Sequence, residues 1–266
     1  MGEVKLHAFS CGSFVTDKGT LNNKDWGVPY EHPIPMYLFE HRKGMVLFDT
    51  GMNHRGLSNG REWWGDIYRG ETVKVTEADC MPAQLKKIGI NPKDIRYVIM
   101  SHLHIDHAGE MESFPQATFV VRNSELRFAW WPDRHMKDIY AFSDLKNTRK
   151  FDYLELEDGF DFDVFADESL VCVHTPGHTP GHQSLIVRAS GYDASIVLAA
   201  DACYTMENLD FQPASSGLMW NVEAWCRSIR KLQHFREIGY DVWLGHDSDD
   251  WRRHTSGKEQ LRSGAV

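Results

Sequence analysis

The segment IRYVIMSHLHIDHAG, residues 95–109, constrains this chain more than any other. Its apolar, β-branched start reads as a strand. It runs directly into His102, His104, Asp106 and His107, four metal-ligand side chains within six residues. On an extended segment alternate side chains share a face, so His102 and His104 can reach one ion through their imidazoles. Asp106 and His107 follow where the chain must turn near Gly109, and can point towards a second ion. Any fold that accepts this segment has to bring other ligands to the end of that strand.

Three more strand-like runs end in the same way. VCVH leads into TPGHTPGH with His178 at its centre, IVLAA into Asp201, and VWLG into His246. Seven ligands are more than one tetrahedral zinc ion uses. Solitary histidines such as His7, His41, His135, His234 and His254 read as ordinary polar residues. Five neutral imidazoles and two carboxylates leave a pair of dications electrophilic, and two ions sharing a water lower its pKa from about 15.7 to roughly 7. Hydrolysis of an ester-like bond is the chemistry such a site serves.

With IRYVIM, the β-like runs number nine, the others being VKLHAF, MYLFEH, GMVLFDTG, ATFVV, SLIVRA and the three just given, LVCVHT, SIVLAAD and YDVWLGHD. Helical patterns lie between them at residues 83–87, from Asn123 onward and over residues 222–238. The last of these carries Val222, Trp225, Ile229, Leu232 and Phe235 at helical spacing, a stripe suited to covering a sheet, and closes at Gly239. The layout is mixed α/β. Residues 18–34, 52–75 and 205–220 show no period and are expected to be loops walling a substrate pocket. With no repeat and no Pro-, Gly- or Ser-rich linker, one domain over residues 1–266 is expected.

A net charge of −9 without a basic run excludes a nucleic-acid partner. No stretch is apolar for the roughly 18 residues a membrane span needs, and the N-terminus lacks a signal-peptide pattern, so a cytoplasmic protein is expected. Five cysteines, odd in number and never spaced C-x-x-C, argue against both a disulfide framework and a thiolate zinc site.

The string H-x-H-x-D-H, with GMVLFDTG before it and HTPGHTPGHQS, Asp201 and LGHD after it in that order, resembles the metallo-β-lactamase superfamily over nearly the whole chain. The resemblance implies an αββα sandwich with a dinuclear metal site at one edge. It implies His102, His104 and His178 on one ion, Asp106, His107 and His246 on the other, and Asp201 bridging them. His174 and His182, which flank His178, and Asp49 in FDTG are then expected to be structural or to support the ligands from behind.

Within the superfamily the chain is most similar to the N-acyl homoserine lactone lactonases, the quorum-quenching enzymes. HTPGHTPGHQSL carries that likeness, as does DACYT, where Tyr204 follows Asp201 by three residues. The resemblance implies a lactonase with two divalent ions, zinc first among them, whose metal-bridging hydroxide attacks the lactone carbonyl. Tyr204 would support the carbonyl oxygen and Asp106 would pass the proton to the leaving alkoxide. Met36, Trp63, Trp64, Phe211, Leu218, Met219 and Trp220 offer apolar surface for an acyl chain, and the Trp63–Trp64 loop leaves a homodimer open. The alternatives are a hydrolase of another small lactone such as γ-butyrolactone and, outside hydrolysis, a di-iron redox or metal-binding protein.

Overall fold

Strand side chains point alternately to opposite faces, and here that alternation sorts the apolar residues into three layers of core. The structure is a computed structural model that describes residues 4–65, 72–211 and 219–256, with the backbone alone at residue 211. One sheet has seven strands: β1 (Lys5–Asp17), β2 (Pro29–His41), β3 (Gly44–Phe48), β4 (Thr72–Lys74), β5 (Ile95–Ile99), β6 (Thr118–Arg122) and β7 (Asp152–Leu156), in the order β4-β1-β2-β3-β5-β6-β7. The other has five: β8 (Phe162–Asp163), β9 (Leu170–His174), β10 (Gln183–Val187), β11 (Ile196–Leu198) and β12 (Asp241–Trp243), in the order β12-β11-β10-β9-β8.

The helices are α1 (Lys18–Asn22), α2 (Gly60–Trp64), α3 (Met81–Lys87), α4 (Ile105–Ala108), α5 (Asn123–Trp130), α6 (Phe142–Leu145), α7 (Met206–Phe211), α8 (Val222–Glu237) and α9 (Ser248–Thr255). Leu6, Phe39, Phe48, Ile99 and Val120 of the first sheet meet Cys172, Leu185, Ile196, Leu198 and Trp243 of the second, and form the layer between the sheets. Leu38, Leu47, Val98, Phe119 and Val121 face the other way, onto Met81 and Leu85 of α3, Ala129 of α5 and Leu145 of α6. Val173, Ile186, Val197 and Val242 face outward onto Trp225, Ile229 and Leu232 of α8. The result is an αββα sandwich, the class expected from the sequence.

The nine strand-like runs are all strands, and three further strands, β4, β7 and β8, are short edge or near-edge elements. Residues 29–34 correct one expectation: they are strand, not loop, paired with β1 in a register running from Ser10↔Pro35 to Asp17↔Pro29. The run from His32 to Phe39 is buried on both faces, so it carries no alternation to read, and Pro29, Pro33 and Pro35 mask its β character. On α8, Trp225, Ile229 and Leu232 are buried as the stripe requires, whereas Val222 is 51% exposed. Val222 is the first residue of the helix, and burial begins only with Ala224 and Trp225.

β3, β5, β6 and β7 run parallel, as do β11 and β12, so their C-terminal ends gather at common edges. At the edge used by β5 the sheets are stitched by polar groups: Gln183 N–H donates to Ser101 O at 2.9 Å, and its side-chain amide to Met100 O at 2.8 Å. Arg122, fully buried, donates to Gln183 Oε1 at 3.0 Å and to the carbonyls of Glu157 and Phe160. A buried guanidinium is tolerable only when its fork of donors is filled in this way.

Candidate metal centre

All seven predicted ligands meet at this edge, and all are buried. His102 and His104 lie in the segment after β5, Asp106 and His107 on the short α4, His178 in the loop after β9, Asp201 after β11 and His246 after β12. His102, His104, His178 and Asp201 form one group and Asp106, His107 and His246 a second. Within each group one donor atom per residue lies within 4.8 Å of every other.

Four of the five imidazoles are aimed by what their other nitrogen touches. His107 Nδ1 lies 2.8 Å from Asp49 Oδ2, which turns Nε2 inward. His102 Nδ1 lies 2.9 Å from Ser101 Oγ, whose hydroxyl donates to the same carboxylate at 2.7 Å. His246 Nδ1 donates to Pro33 O at 2.9 Å. His178 Nδ1 lies 2.9 Å from the hydroxyl of Tyr204. His104 is turned the other way, with Nδ1 2.9 Å from both His102 Nε2 and His178 Nε2. Such outer contacts fix the tautomer and direction of a ligand.

Asp201 stands between the groups. Its Oδ1 is 3.1 Å from His107 Nε2 and 3.3 Å from His246 Nε2, while Oδ2 is 3.4 Å from His178 Nε2 and 3.7 Å from His102 Nε2. Asp106 Oδ2 faces the second group, 3.5 Å from His107 Nε2 and 3.7 Å from His246 Nε2.

The chain places Asp201 and His246 by a tight crossing. A Cβ on Gly245 would lie 2.5 Å from Ala200 O, so only glycine lets the two strand ends pass this close. Ala200 itself has φ 46°, a left-handed conformation that costs an L-residue roughly 1–2 kcal/mol and is held by the surrounding packing.

The electrostatics suit cations. Burial, then neighbouring imidazoles, keep His102 and His104 well below the usual histidine range, so both rings are neutral donors. Burial opposes charge on His107, but Asp106, Asp201 and Asp49 outweigh it and hold its pKa well above the usual range. Burial likewise opposes charge on Asp201, which His107, His246 and His102 nevertheless keep well below the ordinary carboxylate value. His107 Nε2 and Asp201 Oδ1 are buried and face each other at 3.1 Å without forming a well-directed hydrogen bond. Orphaned polar atoms are costly, and a cation between them removes that cost. The residues therefore fit a pair of divalent ions.

His174 and His182 stand outside both groups. His174 bridges Gly159 N–H and Pro180 O at 2.9 and 3.0 Å, and His182 Nδ1 lies 3.0 Å from Thr175 Oγ1. Asp49 accepts from Ser101 N–H, Ser101 Oγ and His107, and so supports two ligands from behind. His32 carried no signal in the sequence: it lies on the buried run of β2, and its Nδ1 sits 3.1 Å from His246 Nδ1. Burial first, and then His246, push its pKa down to about 3, so it is a neutral partner.

The expected pocket residues divide. Met36 is fully buried in the core and Trp64 nearly so, which removes both from a substrate surface. The Trp63 and Trp64 indole N–H groups donate to Asp144 at 2.6 and 3.0 Å, and Asn53 donates to the same carboxylate at 3.0 Å. That loop is therefore tied inward. Met219 and Trp220 are half-buried at the core edge, with Trp220 N–H donating to His178 O at 3.0 Å. Leu218 and the Phe211 side chain lie outside the described residues.

Asp144 yields a pH prediction. Burial raises its carboxyl from the ordinary 3.8 to about 6, against the pull of its three donors. A folded-state value above the unfolded one means the folded protein retains the proton longer, so the contribution of Asp144 to stability is greatest below about 4 and is lost as pH rises through 6. The shift corresponds to about 3 kcal/mol at most. Urea denaturation across pH 4–7 should show Asp144→Asn with a flatter profile than the parent; equal slopes would dismiss the assignment.

Comparisons with known proteins agree with this geometry. The metallo-beta-lactamase superfamily pattern matches residues 29–251. N-acyl homoserine lactonase AttM of Azorhizobium caulinodans is 32% identical over 254 residues, covering 94% of this chain and 96% of that protein. N-acyl homoserine lactonase AiiA of Bacillus thuringiensis subsp. kurstaki is 30% identical over 246 residues, covering 91% and 93%. Among solved structures, an N-acyl homoserine lactone hydrolase with the product N-hexanoyl-L-homoserine at its catalytic metal centre superposes with a TM-score of 0.83 at 29% identity, covering 94% of this chain and 96% of that one. With its ligand order, its sandwich and its likeness over nearly full length all in accord, the chain belongs to the metallo-β-lactamase superfamily and, within it, to the N-acyl homoserine lactonases.

Proposed function

We propose that this protein opens the lactone ring of N-acyl homoserine lactones by metal-dependent hydrolysis, and thereby quenches quorum-sensing signals. The observation that carries the reading is Asp201, whose two carboxylate oxygens each face a different group of ligands. A carboxylate in that position supports a dinuclear centre. Zinc is the ion we assign, since imidazole and carboxylate donors suit it well. We further propose that one domain carries the whole activity and works in the cytoplasm. All five cysteines are free, and no helix among the described residues is long and apolar enough to cross a membrane.

When bound, the two ions supply an acidified water and a Lewis acid for a carbonyl oxygen. His102, His104 and His178 would hold one, Asp106, His107 and His246 the other, and Asp201 both. In the reaction, water adds to the lactone carbonyl carbon and the ring C–O bond breaks, leaving a hydroxy acid. Tyr204 lies with its hydroxyl at His178 Nδ1 and is only 4% exposed, so a carbonyl oxygen at its phenol is shielded from bulk water. A donor set in place beforehand stabilises developing charge better than water that must reorganise. Asp106 is the most exposed carboxylate of the centre and is suited to carry the proton to the leaving alkoxide.

The test is proton release near neutral pH by zinc-loaded protein on acyl homoserine lactones, γ-butyrolactone, a thioester and a phosphotriester. Fastest turnover of acyl homoserine lactones upholds the reading. Inert lactones with another substrate turned over would overturn it while leaving the metal centre standing.

A further inference from the structure

We propose that Glu125 is a positioning residue that clamps the two ligand-bearing loops of one metal ion together. The inference rests on the metal centre described above and extends it to a residue that touches no ligand directly.

Glu125 sits in the first turn of α5, fully buried, in a place where an unpaired carboxylate would be untenable. Its oxygens are occupied by donors from separate parts of the fold. Leu103 N–H, between His102 and His104, donates to Oε1 at 2.9 Å. Tyr140 hydroxyl donates to the same oxygen at 2.9 Å. Thr179 hydroxyl, next to His178, donates to Oε2 at 2.5 Å, and Gly181 N–H donates as well. One carboxylate thus holds the peptide between two ligands on one loop and the neighbour of the third ligand on the other.

Two independent features show that the approach is built for this contact. A Cβ on Gly181 would lie 2.3 Å from Glu125 N and 2.4 Å from Glu125 Cβ, so the loop carrying His178 rests directly on the first turn of α5. Tyr140, held by the same carboxylate, places its ring edge-on to His104 with centroids 4.6 Å apart. The clamp therefore reaches all three histidines of one group through their neighbours and none of Asp106, His107 and His246. Burial raises the Glu125 carboxyl above the usual range, and the donors from Thr179, Leu103, Tyr140 and Gly181 pull against that rise.

Removing an outer partner of a metal ligand costs roughly 10–100-fold in metal affinity. The experiment is competition for Zn2+ alone between a chromophoric chelator and the full chain, resolving two binding steps, for the parent and Glu125→Gln. Leu85→Ala, a cavity in α3 at a residue that makes none of the Glu125 contacts, serves as the control for lost stability. Glu125→Gln should weaken one step by about 10–100-fold and leave the other within a few-fold, while Leu85→Ala weakens neither. If Glu125→Gln does not fold, Gly181→Ala and Thr179→Val read the same clamp from the other loop and should weaken the same single step. A variant that folds and binds both ions as tightly as the parent overturns the clamp and leaves the lactonase reading intact. A parent that binds no Zn2+ overturns the metal centre and the clamp together. No substrate enters the measurement, so inactivity on lactones cannot mask either result.

Discussion

Asp201→Asn should lower acyl homoserine lactone hydrolysis by roughly 10³-fold or more, a loss of at least about 4 kcal/mol in transition-state stabilisation. Asp201 is the candidate ligand that faces both groups, Oδ1 towards His107 and His246 and Oδ2 towards His178 and His102. An asparagine keeps the shape but offers an oxygen to only one group and turns an amide N–H₂ on the other. It also removes one of the two negative charges that offset a pair of dications. Metal analysis of the purified variant should find roughly one ion per chain where the parent holds two. A variant that retains both ions and more than a tenth of the parent's rate would remove Asp201 from the bridging role.

The second large effect is expected at Tyr204. Loss of one donor to a developing oxyanion costs about 10²–10³ in kcat, and Tyr204→Phe should fall in that range on acyl homoserine lactones. The phenol also meets His178 Nδ1 at 2.9 Å, so the substitution removes a partner of a proposed metal ligand. Two measurements separate the roles. If Tyr204 stabilises the transition state, kcat drops while metal content and KM stay near the parent's. If it serves only to orient His178, the metal dissociation constant rises and kcat recovers at saturating Zn2+, which would withdraw the donor role.

Some readings depended on local chemistry alone. His102, His104, Asp106 and His107 are adjacent in the chain, and a strand that ends in such a cluster states its use without help from the rest of the fold. His178, Asp201 and His246 were legible because each follows an apolar strand run, and strand ends gather wherever strands lie side by side. Helix α8 was legible through Trp225, Ile229 and Leu232, which recur with the helical period.

Other features had no local signature. Residues 29–34 looked like loop because a strand buried on both faces and carrying three prolines shows neither alternation nor typical strand composition. Trp63 and Trp64 looked like pocket walls, and only the fold brought the buried Asp144 to their indole nitrogens.

What the sequence by itself determined is the candidate ligand set and the mixed α/β class, because ligand type and hydrophobic period are properties of residues and their neighbours. Only the tertiary structure decided which oxygen of Asp201 faces which histidines, that His32 stands behind His246, and that Glu125 joins the loop at Leu103, 22 residues before it, to the loop at Thr179, 54 residues after it. Those are contacts between distant segments whose partners are chosen by packing and by the need to pair every buried polar group. No spacing along the chain encodes them.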